Sequence, residues 1–538
     1  MKESFAGRGA LKHSAAVDSA PRRKGVDRRR HRFIQCLLRM ASLLLAVAAV
    51  GAAAIPVAAA RSGQRQPEYS TFEQLGGKTI SMLTGAPFEE LIGSKVPAVG
   101  EFTYYSAPAE LLLALRTGKT DAFLNNSAIA ALYVNKYEDI AQFPEPLKEA
   151  QFGVGFSKKY KKLAEWKKAF AELDPDEIEA VWNKWTSADE SKKLPLKQDW
   201  AGKAGKVRVA VGDSMQPASY VNAAGDVLGM EAEIILMMAK KLDYKVEFMP
   251  MEFASLIATV ESGKADLCAG SLIITEERKK VLDFLPYHET AFVLVVRAKT
   301  EQEETPAGFW ESLKDKLRDT LVTDGRYRLI LSGLGTTLLI SLCSGAAGLI
   351  LAFGMASLRR RNIRAVNSVI AGYCRLVAGL PVVVILMILY YVVFGSTNIS
   401  PALVATLGFT LIFAPKAYAL INNAVDAVDS GQLEGALALG YSRNQAYRRV
   451  ILPQARKIYF PLLRTQFSLL VKETSVVGYI AVVDLTRAGD IIRGHTLDAF
   501  FPLLIIAVVY FFLTWLMSAA IDAGSRALDR LMKGGAEQ

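Results

Sequence analysis

The sequence predicts an α/β region in two lobes followed by an all-α region of five membrane helices. Two patterns and the composition carry that expectation. Short apolar strand-like runs alternate with amphipathic helices from about residue 71 to 300, and apolar segments of near-spanning length follow from about residue 333. With 538 residues, 51% hydrophobic and 22% charged, the chain has room for several domains, is too apolar for disorder and is too charged for membrane spans alone. Its net charge of +11 divides into +8 for 1–60, −3 for 61–300 and +6 for 301–538. No single basic face results, which argues against nucleic acid as a partner.

The first 60 residues read as an export signal. Arg22, Arg23, Arg28, Arg29, Arg30, Arg32 and Arg39 precede an apolar run from Ala41 that closes with Ala58-Ala59-Ala60. That is the order of a positive region, a hydrophobic region and a small-residue cleavage site. An uncleaved anchor helix fits the same residues, and either places 61–300 outside the cytoplasm. Cys268 is the only one of the four cysteines in that stretch, so no disulfide framework is expected there.

Within the exported part, Thr79–Leu83, Asp121–Leu124 and Val207–Val211 read as strands, and Ala109–Arg116 and Glu231–Lys241 as helices. A polar break at Ala188–Lys206 divides it into units of about 61–200 and 201–300. Five motifs stand in the second unit: Gly229-Met230-Glu231-Ala232-Glu233, Met251 to Ile257, Ser262-Gly263-Lys264-Ala265-Asp266, Thr275 to Lys280, and Asp283-Phe284-Leu285-Pro286-Tyr287. Together they resemble the first lobe of the periplasmic binding proteins for polar amino acids. In the first unit, Gly77 to Ile80 with Thr84-Gly85, Ala114-Leu115 through Ala122, and Trp182 to Trp185 resemble the second lobe and its closing helix. The lobe order is thus inverted. One circularly permuted binding domain is expected, with a tandem receptor that has lost one lobe as the alternative.

The resemblance implies a ligand cleft between the lobes, closed about a hinge. It gives Arg278 the ligand carboxylate, which a planar, permanent cation holds in a bidentate pair. Ser271 supplies a hydroxyl or backbone N–H, Phe253 an aromatic wall, and Asp213 an acid for a cationic part of the ligand. Asn126 stands where relatives carry the acid for the α-ammonium, and Gly85-Ala86 where they carry Gly-Thr. Gln216 and Ile273 also depart from the pattern, so the implied ligand widens from polar amino acids to related small carboxylates.

Phe309, Leu313 and Leu317, with Lys314, Lys316 and Arg318 between them, predict an amphipathic helix ahead of the membrane. It lies either on the outer leaflet or packed on protein. Five crossings are expected at about 333–355, 372–394, 399–421, 462–483 and 499–520. The loop 356–375 carries +5 and the loop 422–461 carries +2, against 0 for 395–400 and −1 for 484–498. This bias places the basic loops and the tail at 526–538 inside.

The loop at 422–461 carries Gly431-Gln432-Leu433-Glu434-Gly435-Ala436, Leu439-Gly440 and Val450 to Ala455. Its spacing of Glu434, Gly440, Pro453 and Ala455 resembles the EAA loop of ABC-importer permeases, and Lys472-Glu473-Thr474-Ser475 resembles the polar amino-acid branch. The family implies a short helix docked into a separate cytoplasmic ATPase, which binds the ATP, and a homodimer of the membrane domain. Gly440 permits a tight turn, Glu434 can cap or pair with a base, and Pro453 begins the next segment. Ala378, Ile421 and Asn423 replace charges common in relatives. The chain has no Gly-x4-Gly-Lys-Ser/Thr motif, and neither its four histidines nor any triad-like spacing suggests metal or catalytic chemistry, so no enzymatic role and no cofactor of its own is expected. The function expected is importer subunit with fused receptor; a ligand-gated channel or sensor with a glutamate-receptor-like binding domain is the alternative.

Overall fold

A computed structural model of the protein describes residues 66–534, apart from 85, 87, 188–191, 223, 300–308, 396, 398, 497 and 499. The export signal at 1–60 and Gly85 lie outside the described residues.

Strands β1 (Thr79–Leu83), β2 (Glu101–Tyr105), β3 (Ala122–Asn126), β4 (Ile140–Gln142) and β5 (Lys148–Ser157) alternate with helices α1 (Glu89–Lys95), α2 (Pro108–Arg116) and α3 (Ser127–Lys136). Helices α4 (Leu163–Ala171) and α5 (Pro175–Thr186) follow. The next stretch holds β6 (Gly205–Gly212), a small hairpin sheet of β7 (Ser214–Met215), β8 (Ser219–Val221) and β9 (Val227–Leu228), then α6 (Met230–Lys241) and β10 (Tyr244–Met251). It ends in α7 (Leu256–Glu261), β11 (Leu267–Ala269), α8 (Glu276–Val281) and β12 (Leu282–Arg297).

All strands but the hairpin form one sheet in the order β10-β6-β11-β5-β12-β3-β1-β2, with β4 beside β12. Parallel pairs β10/β6/β11 and β3/β1/β2 form its two ends. The antiparallel strands β5 and β12 join them. At 16 residues β12 reaches about 50 Å, long enough to pair with β5 over Leu282–Phe292 and with β3 over Phe292–Val296. The chain therefore crosses between two lobes on two strands. One apolar cluster runs through both, with Ile80, Leu124 and Leu294 in one lobe, Val209, Ile235 and Leu267 in the other, and Phe152 and Tyr287 between.

The lobes do not part at the polar break. Trp166 of α4 stacks on Tyr244 of β10 with ring centroids 6.1 Å apart, and Lys184 and Trp185 of α5 donate to Glu233 of α6 at 2.8 and 2.6 Å. Both helices thus pack on the lobe whose strands come from 205–269, because β5 has already carried the chain across. We call this the first lobe, and the β1–β4 end the second.

The remaining elements are helical: α9 (Phe309–Leu321), α10 (Tyr327–Arg359), α11 (Arg364–Gly379), α12 (Val382–Met387), α13 (Pro401–Asp426), α14 (Ser430–Ala438), α15 (Arg443–Ala446), α16 (Leu452–Glu473), α17 (Leu485–Thr496) and α18 (Phe501–Gly534). The amphipathic α9 packs on protein: Lys316 lies 4.7 Å from the Phe501 ring centroid and 3.7 Å from Asp498. Among the described residues three helices are long and apolar enough to cross a membrane, those of α10, α13 and α18, or four if the bent pair α11–α12 is one span. Five crossings are therefore not all visible by length and composition. The second is broken by a 110° bend, where Pro381 caps α12 and removes a donor from a continued ladder. The fourth falls on α16, whose Arg456, Lys457, Arg464, Lys472 and Glu473 dilute its apolarity. Partners answer two of those charges, Lys416 to Glu473 at 2.6 Å and Arg464 to Asp522 at 2.7 Å. Small residues let the helices close up. A Cβ on Gly345 of α10 would lie 2.1 Å from the ring of Phe467 on α16.

Candidate functional site: a receptor cleft seated on the membrane helices

Thr275 caps α8, its Oγ1 accepting from the Arg278 backbone N–H at 3.2 Å, and the fixed helix start carries Arg278 inward. The Arg278 side chain is buried, donates to the Ile273 carbonyl at 3.1 Å and faces the Phe253 ring with 5.9 Å to its centroid. These two expected site residues are thus brought together. Ser271 stands just before them in the left-handed region, φ 56°, and its backbone N–H donates to Oε1 of Glu231 at 2.8 Å. The Tyr287 hydroxyl donates to the same oxygen. Burial pushes the Glu231 carboxyl up to about 7. Glu231 therefore acts as the buried post to which the Ser271 turn is tied, and the Ser271 N–H expected for a ligand is already taken, leaving its hydroxyl.

Two expectations change. Asn126 is buried and its Oδ1 accepts the Ile129 N–H at 2.9 Å, so it is the N-cap of α3. A side-chain oxygen already used to cap a helix is not directed at a ligand. Asp213, expected to meet a cationic part of a ligand, instead holds Arg487 of α17 in a forked contact, with Nε to Oδ2 at 2.5 Å and Nη2 to Oδ1. The side chains of Arg487 and Asp213 are 10% and 1% exposed.

Helix α17 touches both lobes. On the first lobe it takes Asp213 by Arg487 and the Val221 carbonyl by the His495 ring. On the second, Arg493 donates to Glu110 at 2.7 Å and Lys136 donates to the Thr496 carbonyl at 2.7 Å. A cavity of about 160 Å³ lies here, walled by Ser106 and Ala107 of the second lobe, Glu252 of the first, and Tyr479, Arg487 and Asp490 of the helical region. The first lobe rests on the helices at its outer edge also: Lys264 donates to the carbonyls of Phe394 and Thr397 at 2.6 and 3.2 Å, and Tyr391 meets Thr259 at 3.3 Å. Arg487, Arg493 and Glu110 escape a reading of motifs. The available signal was two arginines with Asp490 between them, at helical spacing, in a loop whose side of the membrane is otherwise poor in bases.

At the other end of the helical region, Asp429 starts α14 by accepting the Gly431 N–H at 2.7 Å. It takes the capping role considered for Glu434, which is exposed and forms no ion pair among the described residues. The helix ends in a Schellman motif: Gly440 N–H to Leu437 at 3.0 Å, Tyr441 N–H to Ala436 at 3.2 Å, and Gly440 at φ 84°. Leu439 is left 80% exposed at the tip. Pro453 does not begin a new segment as expected: the chain is helical without a break from Arg443 through a π-helical stretch, Tyr447–Ile451, into α16, and that stretch directly precedes the proline that lacks an N–H; Ala455 is fully buried. The result is a short helix held by two ordered turns, with its apolar end presented outward.

Residues 207–444 match the family model of bacterial extracellular solute-binding proteins, family 3, a stretch that starts at β6 and runs on through the membrane helices to α15. The chain is similar to the L-cystine transport system permease protein TcyB of Bacillus subtilis (strain 168), 30% identical over 213 residues that cover 39% of this chain and 91% of that one. It is also similar to the arginine ABC transporter permease protein ArtQ of Haemophilus influenzae, 30% identical over 209 residues, 37% of this chain and 92% of that one. A solved amino acid ABC transporter chain is 28% identical, covering 41% of this chain and all of that one, with a TM-score of 0.36.

Proposed function

This chain belongs to the amino-acid ABC transporter permeases, and we propose that it is a membrane subunit of an importer whose receptor is fused to it. The carrying observation is that the two-lobe domain and the permease helices lie in one chain and are joined through a buried ion pair, Arg487 to Asp213, and a part-buried one, Arg493 to Glu110. A receptor that is released into solution between cycles has no use for such a seat. The lobes are read as one binding domain in circularly permuted order; the single sheet with two crossing strands, β5 and β12, supports this over an orphan lobe. Its ligand is a polar amino acid or related small carboxylate, held by Arg278 against Phe253.

The chain crosses the inner membrane with residues 61–327 outside and the C-terminus inside. The ATP is bound and hydrolysed by a separate subunit, which receives α14 and the Leu439 tip. One permease domain forms half of a translocation path, so two copies pair. A ligand-gated channel gives no reason for an ordered, apolar-tipped helix at 430–440. The test is ligand-stimulated ATP hydrolysis by the chain purified with its ATPase. Gly440→Asp is expected to abolish stimulation while amino-acid binding persists; stimulation retained in that variant overturns the docking role.

A further inference from the structure

We propose that helix α17 is a tethered occupant of the receptor cleft, Arg487 holding Asp213 where a ligand's cationic group would sit, so that docked helix and cationic ligand compete for one carboxylate. The inference rests on reading the two-lobe domain as the ligand receptor. Asp213 directly follows β6, at the C-terminal edge of the parallel strands, which is where α/β sheets place their ligands. A guanidinium that grips it in a forked contact is itself an image of a bound ligand cation.

Seating the receptor does not require this contact, because Lys264, Tyr391 and Lys136 already anchor the lobes from their edges. The buried pair lies between the lobes instead. Arg493, six residues on and about 9 Å along the helix, takes Glu110 of the second lobe. With one arginine on each lobe, α17 fixes their separation, and closure about a ligand must expel it. Arg487 has a second berth on its own helix: its Nη1 is 3.8 Å from Asp490. A ligand bearing an ammonium or guanidinium can therefore take Asp213 while Arg487 turns to Asp490. A purely anionic or neutral ligand has no such exchange to offer. Arg487 thereby selects for cationic ligands and, on return, displaces them toward the membrane helices.

The experiment measures binding of the twenty standard L-amino acids, each carrying an ammonium, to the purified full chain by thermal shift and calorimetry. The proteins are wild type, Arg487→Gln, Arg487→Lys and Arg487→Gln/Asp213→Asn. Any amino acid that binds wild type is expected to bind Arg487→Gln about tenfold or more tightly, the factor by which a competent population of ~10% lowers apparent affinity. Arg487→Lys, which keeps the charge with a single donor point and preserves the fold if the neutral variant does not, is expected to fall between. Adding Asp213→Asn is expected to remove the gain. Equal or weaker binding by both single variants, or a gain that survives Asp213→Asn, overturns the inference and leaves the receptor reading standing. No binding by any of the four proteins overturns the reading of the domain as an amino-acid receptor and the inference with it.

Discussion

Replacing Gly440 isolates the geometry of the turn after α14 from its contacts. The residue sits at φ 84°, and a Cβ built on it meets nothing within 4 Å. Gly440→Ala therefore costs only the left-handed backbone penalty, about 1–2 kcal/mol, with no steric term. That corresponds to a ~5–30-fold loss of the ordered Schellman turn relative to a frayed one. If α14 must be presented in this turn to drive a separate ATPase, ligand-stimulated hydrolysis at limiting ATPase falls with the ordered fraction, by at most that factor, and amino-acid binding is unchanged. Gly440→Asn, whose side chain tolerates the left-handed region, is expected to keep most of the activity. Stimulation equal to wild type in Gly440→Ala, or equal loss in the Ala and Asn variants, would refute the reasoning, since the first removes the role of the turn and the second the role of φ.

Arg278→Ala is expected to cost about 2–5 kcal/mol of amino-acid affinity, read by calorimetry on the full chain, because it removes a buried charge-assisted partner; unchanged affinity moves the cleft elsewhere. Glu231, raised to about 7 by burial, binds a proton in the folded state that the unfolded chain has lost above about pH 4.5. Its contribution is present at low pH and fades as pH rises through about 7, so Glu231→Gln flattens this part of the pH–stability curve, worth about 3 kcal/mol, in denaturant melts. His495 has the opposite sign: burial holds it at about 4, so its contribution is lost as pH falls below about 6.5, and His495→Gln is expected to remove that acid-side loss. Gly345→Val drives a side chain into Phe467 and is expected to lower the melting temperature of the detergent-solubilised protein; an unchanged melt contradicts the close approach of α10 and α16.

Local chemistry was legible in the sequence, and long-range pairing was not. The strands at Thr79–Leu83 and Val207–Val211 and the left-handed Gly440 follow from residue types within a few positions, whereas Pro453, read as starting a segment, lies inside one that a π-helical stretch carries through. Arg278 and Phe253 were found by motif and do meet. The lobe boundary was missed because β5 and β12 carry the chain across midway, which a polar break at 188–206 does not report. Asn126 was read as a weakened ligand contact, whereas its position just before a helix made capping the nearer explanation. The partner of Asp213 lies 274 residues away, in a loop recorded only by its small net charge, and no period or spacing connects the two. The apolar runs at 372–394 and 462–483 were read as crossings, but the Leu380-Pro381 bend divides the first and charges spread along α16 dilute the second.

The central claim is that receptor and permease act as one transport subunit. Its most direct test is uptake of radiolabelled amino acids into proteoliposomes that hold only this chain and its ATPase, with ATP supplied on the nucleotide-binding side. ATP-dependent accumulation with no added binding protein, abolished by Arg278→Ala, is the predicted result. Accumulation only after a separate soluble receptor is added, or flux that needs no ATP, would contradict it.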